Sequence, residues 1–269
     1  ADDLIFNGGA GLIVPDGQLT LGSTAVASTA AELNLLDGLT EVIQGKSEGT
    51  NFTGSLLIGH STTGTLDAAT YNTGVGLGTL DAVTTGDNNV AVGYNSLTTN
   101  TTGLNNTAVG TNSLKLNLDG HSNAAVGKDT LVANTEGLYN SAIGLESLKA
   151  NTTGDSNTAA GYQALLTNIS SNSNTAVGFR ALKLATGASN IGLGRDAGDN
   201  ISSGDGNVII GSIDAGSATG DKQLIIADGV DGSVKWIDGD SSGNVIHAGT
   251  THSAGGQLTT TGKSLVMGF

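Results

Sequence analysis

Glycine recurs at Gly59, Gly76, Gly93, Gly110, Gly127, Gly144, Gly161, Gly178, Gly194 and Gly211, at intervals of 17 residues broken once by a 16. Around it one phrase returns. NVAVGYNSL from Asn89 is followed by NTAVGTNSL from Asn106, NAAVGKDTL from Asn123, NSAIGLESL from Asn140, NTAAGYQAL from Asn157 and NTAVGFRAL from Asn174. Looser copies flank the series: SLLIG from Ser55, NTGVGLGTL from Asn72, NIGLG from Asn190 and NVIIG from Asn207. A fixed period of this kind decides the architecture, because each repeat is one structural unit that hides its apolar side only by stacking on its neighbours.

A unit of 17 residues is too short for a helix pair or a propeller blade, which take about 33 residues or more. It suits one turn of a β-solenoid, with two short strands and two turns. Two columns supply a core from the first strand: Ala91, Ala108, Ala125 and Ala142, and beside them Val92, Val109, Val126, Ile143 and Val177. Leu97, Leu114, Leu131, Leu148, Leu165 and Leu182 form the second apolar column, four residues past the glycine. Gly93, Gly110, Gly127, Gly144, Gly161 and Gly178 permit a bend or a close backbone approach that a Cβ would block. A polar turn follows, with Asn100, Asn117, Asn134, Asn151 and Asn168 in one column and Gly86, Gly103, Gly120, Gly137 and Gly154 in another. Both residue types tolerate left-handed backbone. At a strand spacing of about 4.8 Å, ten such coils make a rod segment roughly 50 Å long.

Composition supports a periodic rod over an ordinary globule. The chain has 43 glycines in 269 residues and 3 % aromatics, with 13 % charged residues against the usual quarter. It keeps 37 % hydrophobic residues in periodic order, which argues against disorder. Each coil offers only an Ala, a Val and a Leu, so a roll this thin is expected to bury a second face against other chains; spacing alone does not give their number. With no cysteine, neither disulfides nor thiolate metal sites are available. A formal charge of −14 disfavours binding to nucleic acid or to an anionic bilayer, and no stretch reaches the ~20 apolar residues of a membrane span.

The phrase N-T-A-V-G-x-x-[SA]-L with N-T-T-G turns resembles the head repeats of trimeric autotransporter adhesins, the YadA-like left-handed parallel β-roll, and resembles still more the related repeats of phage tail fibres. The likeness covers about 160 of 269 residues; the coils here are longer than is common in the adhesin heads. It implies an all-β homotrimeric fibre of left-handed rolls packed side by side. It also implies a virion location, attachment to other virion proteins through the N-terminal segment, and contact with a host cell-surface receptor or glycan. A capsid fibre and a bacterial surface adhesin fragment are the alternatives. No signal-peptide pattern opens the sequence, which tips the expectation toward the phage fibre.

Four segments follow. Residues 1–27 read as short strands with tight turns and form the attachment segment. Residues 28–54 are expected to form a short helix and linker, from a capping box at Thr29 and Glu32 and helical spacing through Leu33, Leu36, Leu39 and Ile43. The phrase AELNLLDG within it resembles a tail-fibre segment. Residues 55–212 are the roll, and 213–269 a β-rich tip whose GDKQLIIADG resembles the close of such arrays.

Chemistry-bearing constellations are weak. Asp238, Asp240, Ser242 and Gly243 begin a calcium-loop pattern, but Gly249 stands where the bidentate acid belongs. The glycines from Gly74 to Gly78 lie in the repeat register and lack a Lys-Ser/Thr sequel. His60, His121, His247 and His252 are scattered, although a three-fold axis could gather His247 or His252. The acids of the roll fall in turn slots spread along it, which offers no carboxylate pair for glycan cleavage. The expectation is therefore no enzyme, no metal and no cofactor. Trp236, the single tryptophan, is a candidate tip contact together with His247 and His252, with burial between chains the blander role for Trp236.

Overall fold

A computed structural model describes residues 55–58 and 68–239 with their side chains, the backbone of the short strands Thr20–Leu21, Thr24–Ala25, Gly45–Ser47, Val245–His247 and Thr250–His252, and the isolated residues Ser242 and Asn244. The chain divides into two compact units, Ala1–Gln44 and Gly45–Phe269. In the first, Thr20–Leu21 pairs antiparallel with Thr24–Ala25. The helix expected over 28–43 lies outside the described residues. Gly45 and Lys46, which that reading joined to the helix's linker, belong to a strand instead.

The second unit is a β-solenoid of about ten coils. Three-residue strands stack parallel and in register: Thr107, Ala108 and Val109 face Ala124, Ala125 and Val126, which face Ser141, Ala142 and Ile143. Among the described residues no helix is present. The parallel run continues past the expected end at 212, through Val208–Ile210 to Leu224–Ala227. Antiparallel strands close both ends of the sheet: Gly45–Ser47 on Leu56–Ile58, and Lys235–Gly239 on Leu224–Ala227, followed by Val245–His247 and Thr250–His252.

Each coil has one strand rather than two. The leucine column lies in a turn, fully buried, with its backbone left-handed: φ is 50° at Leu97, 49° at Leu131 and 48° at Leu182. An L-residue adopts this conformation at roughly 1–2 kcal/mol, and here the buried side chain against the alanine column offsets it. In the described coil where Gly198 (φ 59°) takes the leucine slot, the vacated space is filled by Ile201 Cδ1 and Ile209 Cγ1, which come within 3.0–3.1 Å of where a Cβ would stand.

The valine column does not join the core. Ala91, Ala108, Ala125 and Ala142 are fully buried, whereas Val92, Val126, Ile143 and Val177 are 36–54 % exposed and Val109 is half-buried. Successive strand residues point to opposite faces, so a three-residue strand with its middle alanine inward must turn both neighbours outward.

Asparagine takes much of the interior instead. The lead Asn of each coil, from Asn72 to Asn207, is buried. Asn123 Nδ2 donates to Gly137 O within its own coil at 2.7 Å, and its Oδ1 accepts the backbone N–H of Asn140 in the next at 2.9 Å. The turn asparagines form a second ladder: Asn117 Nδ2 donates to Asn100 Oδ1 at 2.7 Å, Asn134 to Asn117 at 2.8 Å and Asn151 to Asn134 at 2.8 Å. They are interior residues, and none of them takes the left-handed conformation their column suggested.

The glycine columns serve two needs. Gly127 has φ 139°, and a Cβ there would meet Gly144 O at 2.6 Å. Gly120 is not left-handed; its Cβ would collide with Asn117 Oδ1 at 2.3 Å, so the second column is held to glycine by the asparagine ladder.

Candidate functional surface

Three surfaces run along the solenoid, and each is a column pattern made solid by stacking. The first is the outer face of the sheet. From Leu56 to Ile226 the strand residues that point outward are Val, Ile, Leu, Ala, Thr or Ser, without one charged side chain. The apolar ones include Leu56, Val75, Val90 and Ile143, all exposed.

The second is the edge just past the glycine column, where the cations of the roll collect. Lys128 pairs with Asp129 and Lys149 with Glu146 at 2.6 Å. The Lys128 hydrogen bond, followed by that from Asn112, holds the Asp129 carboxyl below its ordinary value. Hydrogen bonds from Gln163 and then Lys149 do the same for Glu146, and the Glu146 partnership raises Lys149. In both pairs the carboxylate is the less exposed member, so the ammonium groups stand outermost. Tyr162 and Phe179 stack here with ring centroids 5.2 Å apart.

This edge ends in a shallow cleft of about 430 Å³ bordered by Arg180, Asp196, Asp199, Ser212, Asp214 and Asp231. Arg180 reaches Asp199 at 3.1 Å and Asp196 at 3.5 Å. Burial, followed by the neighbouring Asp214 carboxyl, pushes Asp199 above its ordinary value despite Arg180.

The third surface is the opposite turn, which carries acids. Here Asp87 Oδ1 accepts the Thr70 N–H at 2.6 Å, His121 Nδ1 accepts the Leu104 N–H at 2.9 Å and Asp155 Oδ1 accepts the Leu138 N–H at 2.7 Å. These side chains cap the backbone of the preceding coil, which ties Asp87 and Asp155 to structure.

Of the candidate tip residues, Trp236 lies in the strand Lys235–Gly239 and is 56 % exposed. His247 and His252 lie on adjacent antiparallel strands, His247 opposite Thr250 and His252 opposite Val245; only their backbone is described. Asp238 sits in a strand and accepts from Lys235 Nζ at 3.0 Å, while Asp240 and Gly243 lie outside the described residues. Gly74 is a strand residue facing Leu57, which places Gly74–Gly78 inside a coil rather than in a phosphate loop. Among the described residues no three His, Cys, Asp or Glu are grouped to hold a metal.

The fold and these surfaces define a class: a parallel β-solenoid of 17-residue coils closed by two asparagine ladders. Comparison with protein-family models, with curated proteins and with solved structures gave no match.

Proposed function

We propose that the chain is a structural virion protein: a phage tail fibre in which three left-handed rolls pack side by side through the outer faces of their sheets. The observation that carries this reading is the outer face itself. A continuous uncharged strip of Val, Ile, Leu and small residues lies open along the sheet on a chain of net charge −14. Apolar surface of that extent marks an interaction site, and burying it contributes roughly 25 cal/mol per Å². A strip without charge also lets identical acidic chains meet without like charges in contact. The three-fold count and the handedness come from the resemblance of the repeats to tail-fibre and adhesin-head rolls.

In this reading residues 1–54 attach to other virion proteins and the C-terminal end, with Trp236, His247 and His252, faces the host surface. Three identical copies then add weak contacts through effective concentration. Cryo-electron microscopy of the source particle tests the assignment. Rods at the tail with the end bearing residues 213–269 outermost support it. Rods on the capsid shell make the chain a decoration fibre, and its presence on a bacterial surface instead of a particle makes it an adhesin; either result overturns the tail-fibre reading.

A further inference from the structure

One column on the cation-bearing edge alternates. Five residues past the glycine of each coil, and 17 residues apart, stand Lys115, Val132, Lys149, Leu166 and Lys183, bounded by Thr98 before and Asp199 after. The backbone stacks this column directly: Thr99 N donates to Lys115 O, Leu116 N to Val132 O, Ala133 N to Lys149 O, Ala150 N to Leu166 O and Thr167 N to Lys183 O. Each step is one strand spacing, so ammonium groups repeat about every 9.6 Å with an aliphatic side chain midway. All five are half-buried, their stems lying on the roll and their ends reaching water. Lys149 is held by Glu146; among the described residues Lys115 and Lys183 make no ion pair, although Asp199 feels Lys183.

The rest of this edge agrees with the column. Between Asn106 and Ser189 every Lys and Arg stands here (Lys115, Lys128, Lys149, Arg180 and Lys183), with Asp129 and Glu146 the acids of that stretch beside them, while Arg180 is met by Asp196 and Asp199 at the end of the edge. The three other acids of that stretch, Asp119, Glu136 and Asp155, occupy the opposite turn. Exposed Leu116, Leu184 and Tyr162 supply apolar surface alongside.

We propose that this edge binds a linear anionic polysaccharide bearing one negative group on every second sugar. Two pyranose rings of an extended β-linked chain span close to two coil rises. The acidic ring then lies against each lysine, and the C–H face of the neutral ring against Val132 and Leu166. Nucleic acid fits poorly: its phosphates recur at about 3.4 Å per strand of duplex, which would set charges over the aliphatic steps. Three lysines in a row on one chain convert weak single contacts into useful affinity. The proposal deepens the adhesive reading and depends on it only for what presents the polymer.

The test uses the full-length protein against hyaluronan, which carries a carboxylate on alternate rings, and against polygalacturonate, with one on every ring. Neutral dextran and oligothymidylate complete the set. Hyaluronan is expected to bind at least tenfold more tightly than the other three. The triple variant K115A/K149A/K183A should lower that affinity tenfold or more while circular dichroism and oligomeric mass stay unchanged. The double variant V132K/L166K should move the preference toward polygalacturonate. Absence of binding by the unaltered protein at low salt, binding indifferent to the triple substitution, or a preference unmoved by V132K/L166K overturns the proposal. Particle attachment to cells before and after enzymatic removal of surface polysaccharide reads the adhesive role separately: attachment that ignores the glycan removes that role and leaves the binding site in place.

Discussion

Asn123 Oδ1 accepts the backbone N–H of Asn140 at 2.9 Å and its side-chain N–H at 3.2 Å, so a single carbonyl oxygen joins two coils whose strands are already paired. The same side chain closes its own coil on Gly137 O. Replacing Asn123 with Ala therefore strands one buried backbone group, the Asn140 N–H, while the Gly137 carbonyl keeps its bond from Asn134 Nδ2 at 3.1 Å. At about 1–3 kcal/mol for an unsatisfied buried group, N123A should destabilise the roll by roughly that amount in chemical denaturation. N123D should be at least as damaging, because it removes the donor and buries a charge.

The inner ladder predicts a difference between two identical substitutions. Asn134 has neighbours on both sides: it donates to Asn117 and accepts from Asn151. Asn168 is the last rung, because Ala185 follows it, and its buried Oδ1 has no partner. N168A therefore breaks one bond fewer and removes an acceptor already unpaired. It should be milder than N134A by about 1 kcal/mol, measured by the shift in denaturation midpoint.

Leu131 and Val126 separate folding from assembly. Leu131 is fully buried while Val126 is 40 % exposed. L131A should cost about 2–5 kcal/mol as a cavity-forming change. V126D should leave the secondary structure of the coil intact and abolish self-association, which size-exclusion chromatography reads beside circular dichroism. Ala125, one residue away, points inward, so A125D should unfold the coil, and K128A on the outer edge should do neither.

Two aspartates give opposite pH dependences. Asp228 accepts backbone N–H groups from Val234, Asp231 and Val230, which lowers it from 3.8 to about 2. Its folded pKa lies below the unfolded one, so its contribution is present above pH 3.8 and is lost as pH falls toward 2. Asp199 is raised by burial and by Asp214, so its folded form prefers the proton. Its effect favours the fold below the ordinary carboxyl value and is lost as pH rises through the raised one. D199N should accordingly raise the melting temperature at neutral pH and leave it unchanged in acid, whereas D228N should lower it at neutral pH and matter least near pH 2.

Much of the fold is legible in the repeat. The period gives the coil, the coil gives the stack, and the buried alanine and leucine columns are visible as columns in the sequence. The roles of the asparagines are not visible there. An Asn beside a Gly in a polar turn has the local signature of left-handed backbone, and a ladder exists only once identical coils lie in register. Leucine in a left-handed turn is similarly hidden, because nothing local favours it. The outward valines follow from strand alternation, a constraint that outweighs their hydrophobicity in a strand of three residues. The antiparallel strands at either end have no periodic mark, and the cation column emerges only when every second coil is compared.

Self-association through the outer face is read from the native mass of the purified chain. Three chain masses are expected for the unaltered protein and one for V126D with an unchanged circular dichroism spectrum. A stable, folded single chain for the unaltered protein would contradict it.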